Sequence, residues 1–474
     1  MNAIVETITP TQLENLSRNF SGRILLRKEI PLNEPTFQQL LDNQYLIPQK
    51  SIIKKLLTQQ CMRCGNEKKS LFAKIPCSIC NKTHLYCRKC IQMGRVMECE
   101  PLYTWGGEPP NWSTYKQPCT WDGTLTQGQL QASNHMVQAI RSGEKEYLIW
   151  AVCGAGKTEM IFPAITETLQ QGKRICIATP RADVVRELYP RLQKAFEEVP
   201  VQALYGGSET KDATAQLIIA TTHQLLRFQH AFDVVIIDEI DAFPFHADPS
   251  LPYSANRAKK QDSTMIYLTA TPRKDHQKRI AKKTLPHTFV PVRFHGHPLP
   301  VPKTKICFSL KKDLDEYRLP KAFYNWLPKR ENSKRQLLIF VPTIKLAEKM
   351  KDSLASILKK EKVISSEAML TSVHAEDVDR EEKVIQFRQK KITVMITTTI
   401  LERGVTFPSV DVAIVDAGHS VFDEAALVQI AGRAGRSADD PIGEVIFFHD
   451  GKTEAMERAI ASIKKMNKRG GFET

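Results

Sequence analysis

No stretch of the 474-residue chain approaches the roughly 18 consecutive apolar residues that span a bilayer. Its opening, MNAIVETITPTQLENL, lacks a basic region followed by an apolar core. A transmembrane segment and a secretory leader are therefore not expected, and the expected location is the cytoplasm. Short-period repeats and low-complexity tracts are also missing, which excludes solenoids and fibres. Acidic side chains are in short supply, 52 Asp and Glu against 67 Lys and Arg, so the chain carries +15. Such an excess draws polyanions, nucleic acid before an anionic membrane surface. With 42% hydrophobic and 25% charged residues, the composition is that of an ordinary globular protein. At roughly 150 residues per domain the length suggests about three domains, too much chain for a small disulfide scaffold.

What the chain has in quantity is paired cysteine. Six of its eleven cysteines form three C-x-x-C pairs between Cys61 and Cys90. In a reducing compartment such pairs bind metal. Two knuckles facing each other supply four thiolates to one tetrahedral Zn²⁺. The last pair lies in LYCRKC and precedes an apolar, helix-like run, while Cys77 and Cys80 fall in an intervening hairpin. A knuckle, a hairpin and a knuckle opening a helix resemble a treble-clef site, which selects Cys61, Cys64, Cys87 and Cys90. The second choice joins Cys61 and Cys64 to Cys77 and Cys80 across a 12-residue gap, and the third is a two-metal cluster recruiting His84 or Cys99. From Ser51 to Cys99 there are ten basic residues against two acidic ones, so this region holds over half of the net charge.

Residues 1–55 carry no recognisable motif and read as an N-terminal extension, followed by a zinc module over 56–100. A Trp/Pro/Gly-rich junction occupies 101–120. Trp105, Trp112 and nearby Trp121 read as interdomain packing ahead of base stacking. From residue 121, continuous apolar strands alternate with helical patterns in two series, 121–300 and 301–474. That alternation predicts an α/β fold with two parallel, doubly covered sheets.

Ala151-Val-Cys-Gly-Ala-Gly-Lys157-Thr158 follows a strand and opens a helix, the context of a phosphate loop. Gly154 and Gly156 let backbone N–H groups approach phosphate, Lys157 reaches the β/γ oxygens and Thr158 holds Mg²⁺. Downstream, VVIID238E239 ends in two carboxylates at the C-terminal edge of a strand, where ligands of open α/β sheets bind. Asp238 is expected to hold Mg²⁺ through water and Glu239 to activate the attacking water.

These motifs resemble those of superfamily 2 helicases and translocases, in the same order across residues 125–450. Leu125-Thr-x-x-Gln129 is similar to the adenine-reading Q motif. Thr179-Pro180-Arg181 and Ala220-Thr221-Thr222 resemble motifs that touch the DNA backbone. Asp238-Glu239-Ile240-Asp241 matches the DExD box, and Thr269-Ala270-Thr271 the motif coupling hydrolysis to lobe movement. Thr398-Thr399 with Arg403-Gly404-Val405-Thr406 matches motif V, whose Gly404 joins the nucleotide-binding set. Gln429-Ile-Ala-Gly432-Arg433-Ala-Gly435-Arg436 matches motif VI, in which Arg433 and Arg436 serve as arginine fingers and Gln429 joins the catalytic set. The resemblance implies two tandem RecA-like lobes after the Cys-rich module, with ATP, Mg²⁺ and Zn²⁺ as cofactors.

Within that superfamily the chain most resembles the ComFA family, the ATPases of DNA uptake in competent Gram-positive bacteria. The shared segments extend beyond the helicase motifs to LYCRKC, WAVCGAGKTEM, ATTHQLL, DEIDAFPF, RFHGHPL and TTTILERGVTFPSVDV. The primosomal restart helicase PriA also carries cysteine pairs, but between its lobe motifs rather than ahead of the phosphate loop. The resemblance implies a single-stranded DNA translocase at the inner face of the membrane, working with the uptake channel and other late-competence proteins such as ComFC. A PriA-like restart helicase, or a zinc-dependent DNA-binding scaffold whose ATPase acts only as a switch, are the alternatives.

Overall fold

The computed structural model describes residues 8–56, 58–208 and 212–473. Two compact units divide the chain. One is built from the chain up to Leu125 with Leu130–Ile149 and Thr158–Thr288, the other from Thr126–Gln129, Trp150–Lys157 and Phe289–Thr474.

The N-terminal region begins with the helix Pro10–Phe20, whose entry is set by a reciprocal box. The Thr9 hydroxyl accepts the Gln12 N–H at 3.3 Å, and the Gln12 side chain accepts the Thr9 N–H at 2.8 Å. Phe20, Leu25, Ile30, Phe37, Leu40 and Leu46 bury one another beneath it. The strand Leu102–Trp105 pairs antiparallel with both Ile24–Leu25 and Leu46–Gln49. The start of the stretch read as a junction thus completes the small N-terminal fold. Trp105 stacks on Tyr45 at 5.7 Å, Arg174 covers the Trp112 ring at 4.7 Å, and Trp121 meets Phe162 edge-on at 5.5 Å. All three tryptophans are used in packing.

The larger sheet has seven strands. Their spatial order is Val201–Leu204, Leu217–Thr221, Ile175–Thr179, Phe232–Asp238, Lys259–Thr269, Glu146–Ala151 and His287–Val290. Its first five strands pair in parallel. Ile175–Thr179 and Leu217–Thr221 are buried at every position, which is why they read as unbroken apolar runs rather than alternating ones.

A second, six-stranded sheet is parallel throughout, in the order Lys303–Ile306, Val445–His449, Val410–Val415, Gln336–Phe340, Val394–Thr397 and Leu370–Val373. Over it lies the helix Ile344–Lys360, capped by Thr343, whose hydroxyl accepts the Leu346 N–H at 3.2 Å. Ala347, Met350, Leu354 and Leu358 recur every three or four residues and face the sheet core. Both sheets have the RecA-like arrangement, with the motif-bearing loops at the C-terminal strand ends. Among the described residues no helix is long and apolar enough to cross a membrane.

Candidate nucleotide site and metal centre

The phosphate loop leaves the strand Glu146–Ala151 and enters a short helix at Lys157–Met160, which carries Thr158. Gly154 and Gly156 have φ of +80° and +74°. Glycine at 156 is required twice over, by that left-handed backbone and because a Cβ there would stand 2.3 Å from Gln129 Nε2. Gln129 is locked in place. Its amide oxygen accepts the Thr126 N–H at 2.8 Å and its amide nitrogen donates to the Ala155 carbonyl at 2.9 Å. The Q-motif glutamine therefore braces the loop itself.

Motif VI belongs to the same compact unit as residues 150–157 and packs against the loop. Cys153 donates its thiol proton to Gln429 Oε1 at 3.0 Å. A Cβ on Gly432 would lie 2.4 Å from the Cys153 Cβ, so only glycine permits this approach. The other end of the Gln429 amide, Nε2, is buried and has no hydrogen-bond partner among the described residues. Arg433 is buried, its Nε donating to the Glu402 carbonyl at 3.0 Å. Arg436 is partly exposed and more loosely held, by the Gly432 carbonyl at 3.1 Å and the Thr406 hydroxyl at 3.4 Å. Of the two arginines it is the one free to reach outward. Gly404, with φ of +74°, turns the chain between Arg403 and Thr406.

One residue of this site carries no motif signature. Arg293, in the segment RFHGHPL, is buried and donates to five carbonyls: His297 at 3.3 Å, Pro298 and Pro441 at 2.7 Å, Ala434 at 3.0 Å and Gly435 at 2.5 Å. The next residue, Phe294, donates its N–H to the Gly154 carbonyl at 3.0 Å. The 293–294 step thus holds the glycine loop on one side and the backbone of motif VI on the other. Burial, with Arg436 nearby, pulls the Arg293 guanidinium down to about 10, still charged at neutral pH. Its only sequence signal was membership of a family-like segment to which no role could be attached.

The acidic box lies in the other compact unit. Asp238 ends the strand Phe232–Asp238, and Glu239 follows with φ of +57°, a left-handed conformation uncommon for a side chain of its kind. Asp241 is buried, one carboxylate oxygen accepting the Thr269 hydroxyl at 2.5 Å and the other the Thr271 hydroxyl. The acidic box and the Thr-Ala-Thr motif are therefore a single hydrogen-bonded element. Thr179 and Thr221 sit at the C-terminal ends of their strands and Thr222 one residue beyond. In the second sheet, Thr398 and Thr399 likewise follow the strand Val394–Thr397.

The outer cysteine pairs converge. Cys61, Cys64, Cys87 and Cys90 are all buried, and their sulfurs lie mutually within 4.8 Å. Zn–S bonds of about 2.3 Å give a tetrahedron whose S···S edge is about 3.8 Å. Cys61···Cys90 at 3.7 Å and Cys64···Cys87 at 3.6 Å match that edge, so the four sulfurs fit zinc. Cys77 and Cys80 are not part of this quartet.

This centre is built into the first unit. Ile24, Leu26, Val96, Leu102 and Leu226 share its apolar core. Arg63, between the first two cysteines and fully buried, donates both bonds of one amino group to the Glu29 carboxylate at 2.7 Å, and Arg227 reaches the same carboxylate at 2.8 Å. Arg257 donates to the knuckle carbonyls of Met62, at 2.7 Å, and Arg63. Gly65 lies against the Tyr253 ring, where a Cβ would be 2.6 Å away. The knuckle thus docks on segments 222–228 and 250–258, which flank the acidic box.

Comparison with known proteins agrees with this architecture. Residues 10–104 match the family described as competence protein ComFA N-terminal domain, residues 122–274 the type III restriction enzyme res subunit, and residues 318–438 the helicase conserved C-terminal domain. Among solved structures, Dbp5 of S. cerevisiae bound to RNA and ADP BeF3 has the same fold at a TM-score of 0.51 and 19% identity, covering 72% of this chain and 91% of that one. Competence protein ComFA of Streptococcus pneumoniae is 39% identical over 410 residues, 84% of this chain and 92% of the relative. Competence protein ComFA of Bacillus subtilis is 44% identical over 468 residues, 98% of each chain. With that identity over nearly its whole length, two helicase lobes and a cysteine centre in front of them, the chain belongs to the ComFA family of competence proteins and is a helicase-type ATPase.

Proposed function

We propose that this ATPase is a single-stranded DNA translocase that drives DNA uptake during natural competence. The observation that carries the reading is the seating of motif VI on the phosphate loop, through Gly432 and Gln429 on Cys153, with Arg293 bracing both. A hydrolysis site whose loop shares contacts with motif VI passes the presence or absence of phosphate to the second sheet. In this scheme Lys157 holds the β/γ-phosphates, Thr158 and Asp238 hold Mg²⁺, Glu239 activates water and Arg436, with Arg433 behind it, neutralises charge developing on phosphate. Thr179–Arg181 and Ala220–Thr222 grip the strand from one sheet, Thr398–Thr399 and Arg403–Thr406 from the other. Alternation between these grips moves the strand. Such contacts read phosphates, so sequence selectivity is weak.

Zn²⁺ at Cys61, Cys64, Cys87 and Cys90 is the structural metal in this reading, since a short module buries too little apolar surface to fold unaided. The strand is received by a soluble motor peripheral to the membrane, with the uptake channel and ComFC-like proteins as its partners. The test is ATP turnover titrated with single-stranded DNA, duplex DNA and RNA of several lengths. Stimulation that grows with single-strand length is expected. Strand displacement from duplex forks would instead indicate a restart-type helicase, and turnover without movement a switch-like scaffold.

A further inference from the structure

The middle cysteine pair, which the quartet leaves out, is not idle. Cys77, Cys80 and Cys99 bring their sulfurs mutually within 4.8 Å, and His84 Nε2 lies 3.0 Å from the Cys80 sulfur. The backbone around the pair repeats the first knuckle bond for bond. In the first, the Cys61 N–H donates to Asn66 O at 3.0 Å and the Gly65 N–H to Cys61 O at 2.8 Å, with Gly65 at φ +71°. In the second, the Cys77 N–H donates to Lys82 O at 2.9 Å and the Asn81 N–H to Cys77 O at 2.9 Å, with Asn81 at φ +52°. Asparagine is one of the few non-glycine residues that takes this left-handed position readily.

The hairpin supplies the rest. Phe72–Pro76 pairs antiparallel with Thr83–Cys87, so the Cys77–Lys82 turn closes the end that carries His84, while Cys87 at the far end serves the first centre. Side chains three residues apart on a strand point to opposite faces, which separates the two donor sets. Glu98 clips the next segment to this strand, its N–H donating to Leu85 O at 2.9 Å and its carboxylate accepting the Leu85 N–H at 3.3 Å. That clip delivers Cys99.

We propose that Cys77, Cys80, Cys99 and His84 form a second zinc site. Three thiolates and one imidazole are a structural zinc donor set. The second metal ties the hairpin turn to the segment after Val96–Met97. Cys80 is exposed and Cys99 partly so, whereas all four cysteines of the first centre are buried, so the second ion exchanges faster.

Zinc per chain in the full-length protein, saturated with zinc under reducing conditions and then desalted, tests this. Two ions are expected in the wild type and one in Cys99→Ser or in Cys77→Ser with Cys80→Ser, with the first centre retained. A mild chromogenic chelator should draw off one wild-type ion quickly and the other slowly, and the fast phase should be absent from Cys99→Ser. In protein loaded with cobalt alone, the sulfur-to-cobalt charge-transfer band should fall to about four sevenths in that variant, as three of seven thiolates lose their metal. His84→Ala should speed the fast phase. One zinc in the wild type, two in Cys99→Ser, or a disulfide among these three thiols in freshly isolated protein would overturn the second site. None of these results depends on DNA translocation.

Discussion

At the scale of single residues, Glu239 holds a left-handed backbone at the end of the acidic strand. A non-glycine residue held at positive φ costs about 1–3 kcal/mol, and such positions cluster where the chain must aim one group. Glu239→Gln keeps the shape and removes only the base. It should bind MgATP and single strands normally while turnover falls by roughly 10²–10⁴, the usual contribution of a positioned acid–base group. Lys157→Ala should lose turnover outright, and near-normal rates in either variant would sink the assignment. Arg436→Ala should cost roughly 10³–10⁵ in hydrolysis with a much smaller effect on nucleotide affinity. Equal losses in both would make Arg436 a structural tie. Arg293 calls for a graded test, because its five carbonyls outnumber the three protons of an ammonium. Arg293→Lys should recover only part of the turnover and thermal stability lost in Arg293→Met, since buried carbonyls without donors cost about 1–3 kcal/mol each. Full recovery by lysine would show that charge alone matters.

At the scale of elements, the docking of the knuckle on segment 222–228 turns on Glu29, one carboxylate shared by Arg63 and Arg227. Burial pushes its carboxyl up, but Arg63, the Leu26 N–H and Arg227 together pull it below the ordinary glutamate range. A depressed carboxyl stabilises the fold fully above its unfolded value of about 4.3 and loses that contribution as pH falls through the folded value. Glu29→Gln should therefore lower the melting temperature at neutral pH, breaking a buried pair worth about 3–5 kcal/mol. The gap from wild type should narrow only below about pH 4. Thermal melts of both proteins across this range decide it, and a gap that stays constant into acid would remove Glu29 from the docking. Because the metal centre shares its core with Leu226, loss of its zinc should also loosen segment 222–228, which follows the strand Leu217–Thr221 of the first unit.

At the scale of the whole molecule, the +15 balance predicts a steep salt dependence of single-strand affinity, with a logarithmic slope of about 0.7 for each phosphate neutralised. Lys68 and Lys69 are exposed beside the metal centre. Replacing both with alanine should lower that slope by about 1.4 if this region lies on the strand. Fluorescence anisotropy with labelled single strands at graded salt measures it, and an unchanged slope would assign DNA contact to the two sheets alone.

Much of this was legible in the sequence, and for a physical reason. Phosphate and metal recognition use contiguous backbone, so a phosphate loop, an acidic strand end or a C-x-x-C turn must be written in adjacent residues. Strands buried on both faces must be written as unbroken apolar runs, which is why both parallel sheets could be read in advance. Tertiary structure alone decided the long-range connections. Arg63, Arg257 and Arg293 act through guanidinium bonds to carbonyls or a carboxylate from distant segments, and such bonds leave no spacing in the chain. For Cys77 and Cys80 the chain left several groupings open, and the fold is what brings Cys99 and His84 to them. Pairing in the fold set the middle knuckle, Cys77 and Cys80, apart from the first centre, and the packing around Leu226 made the cysteine module part of the first unit.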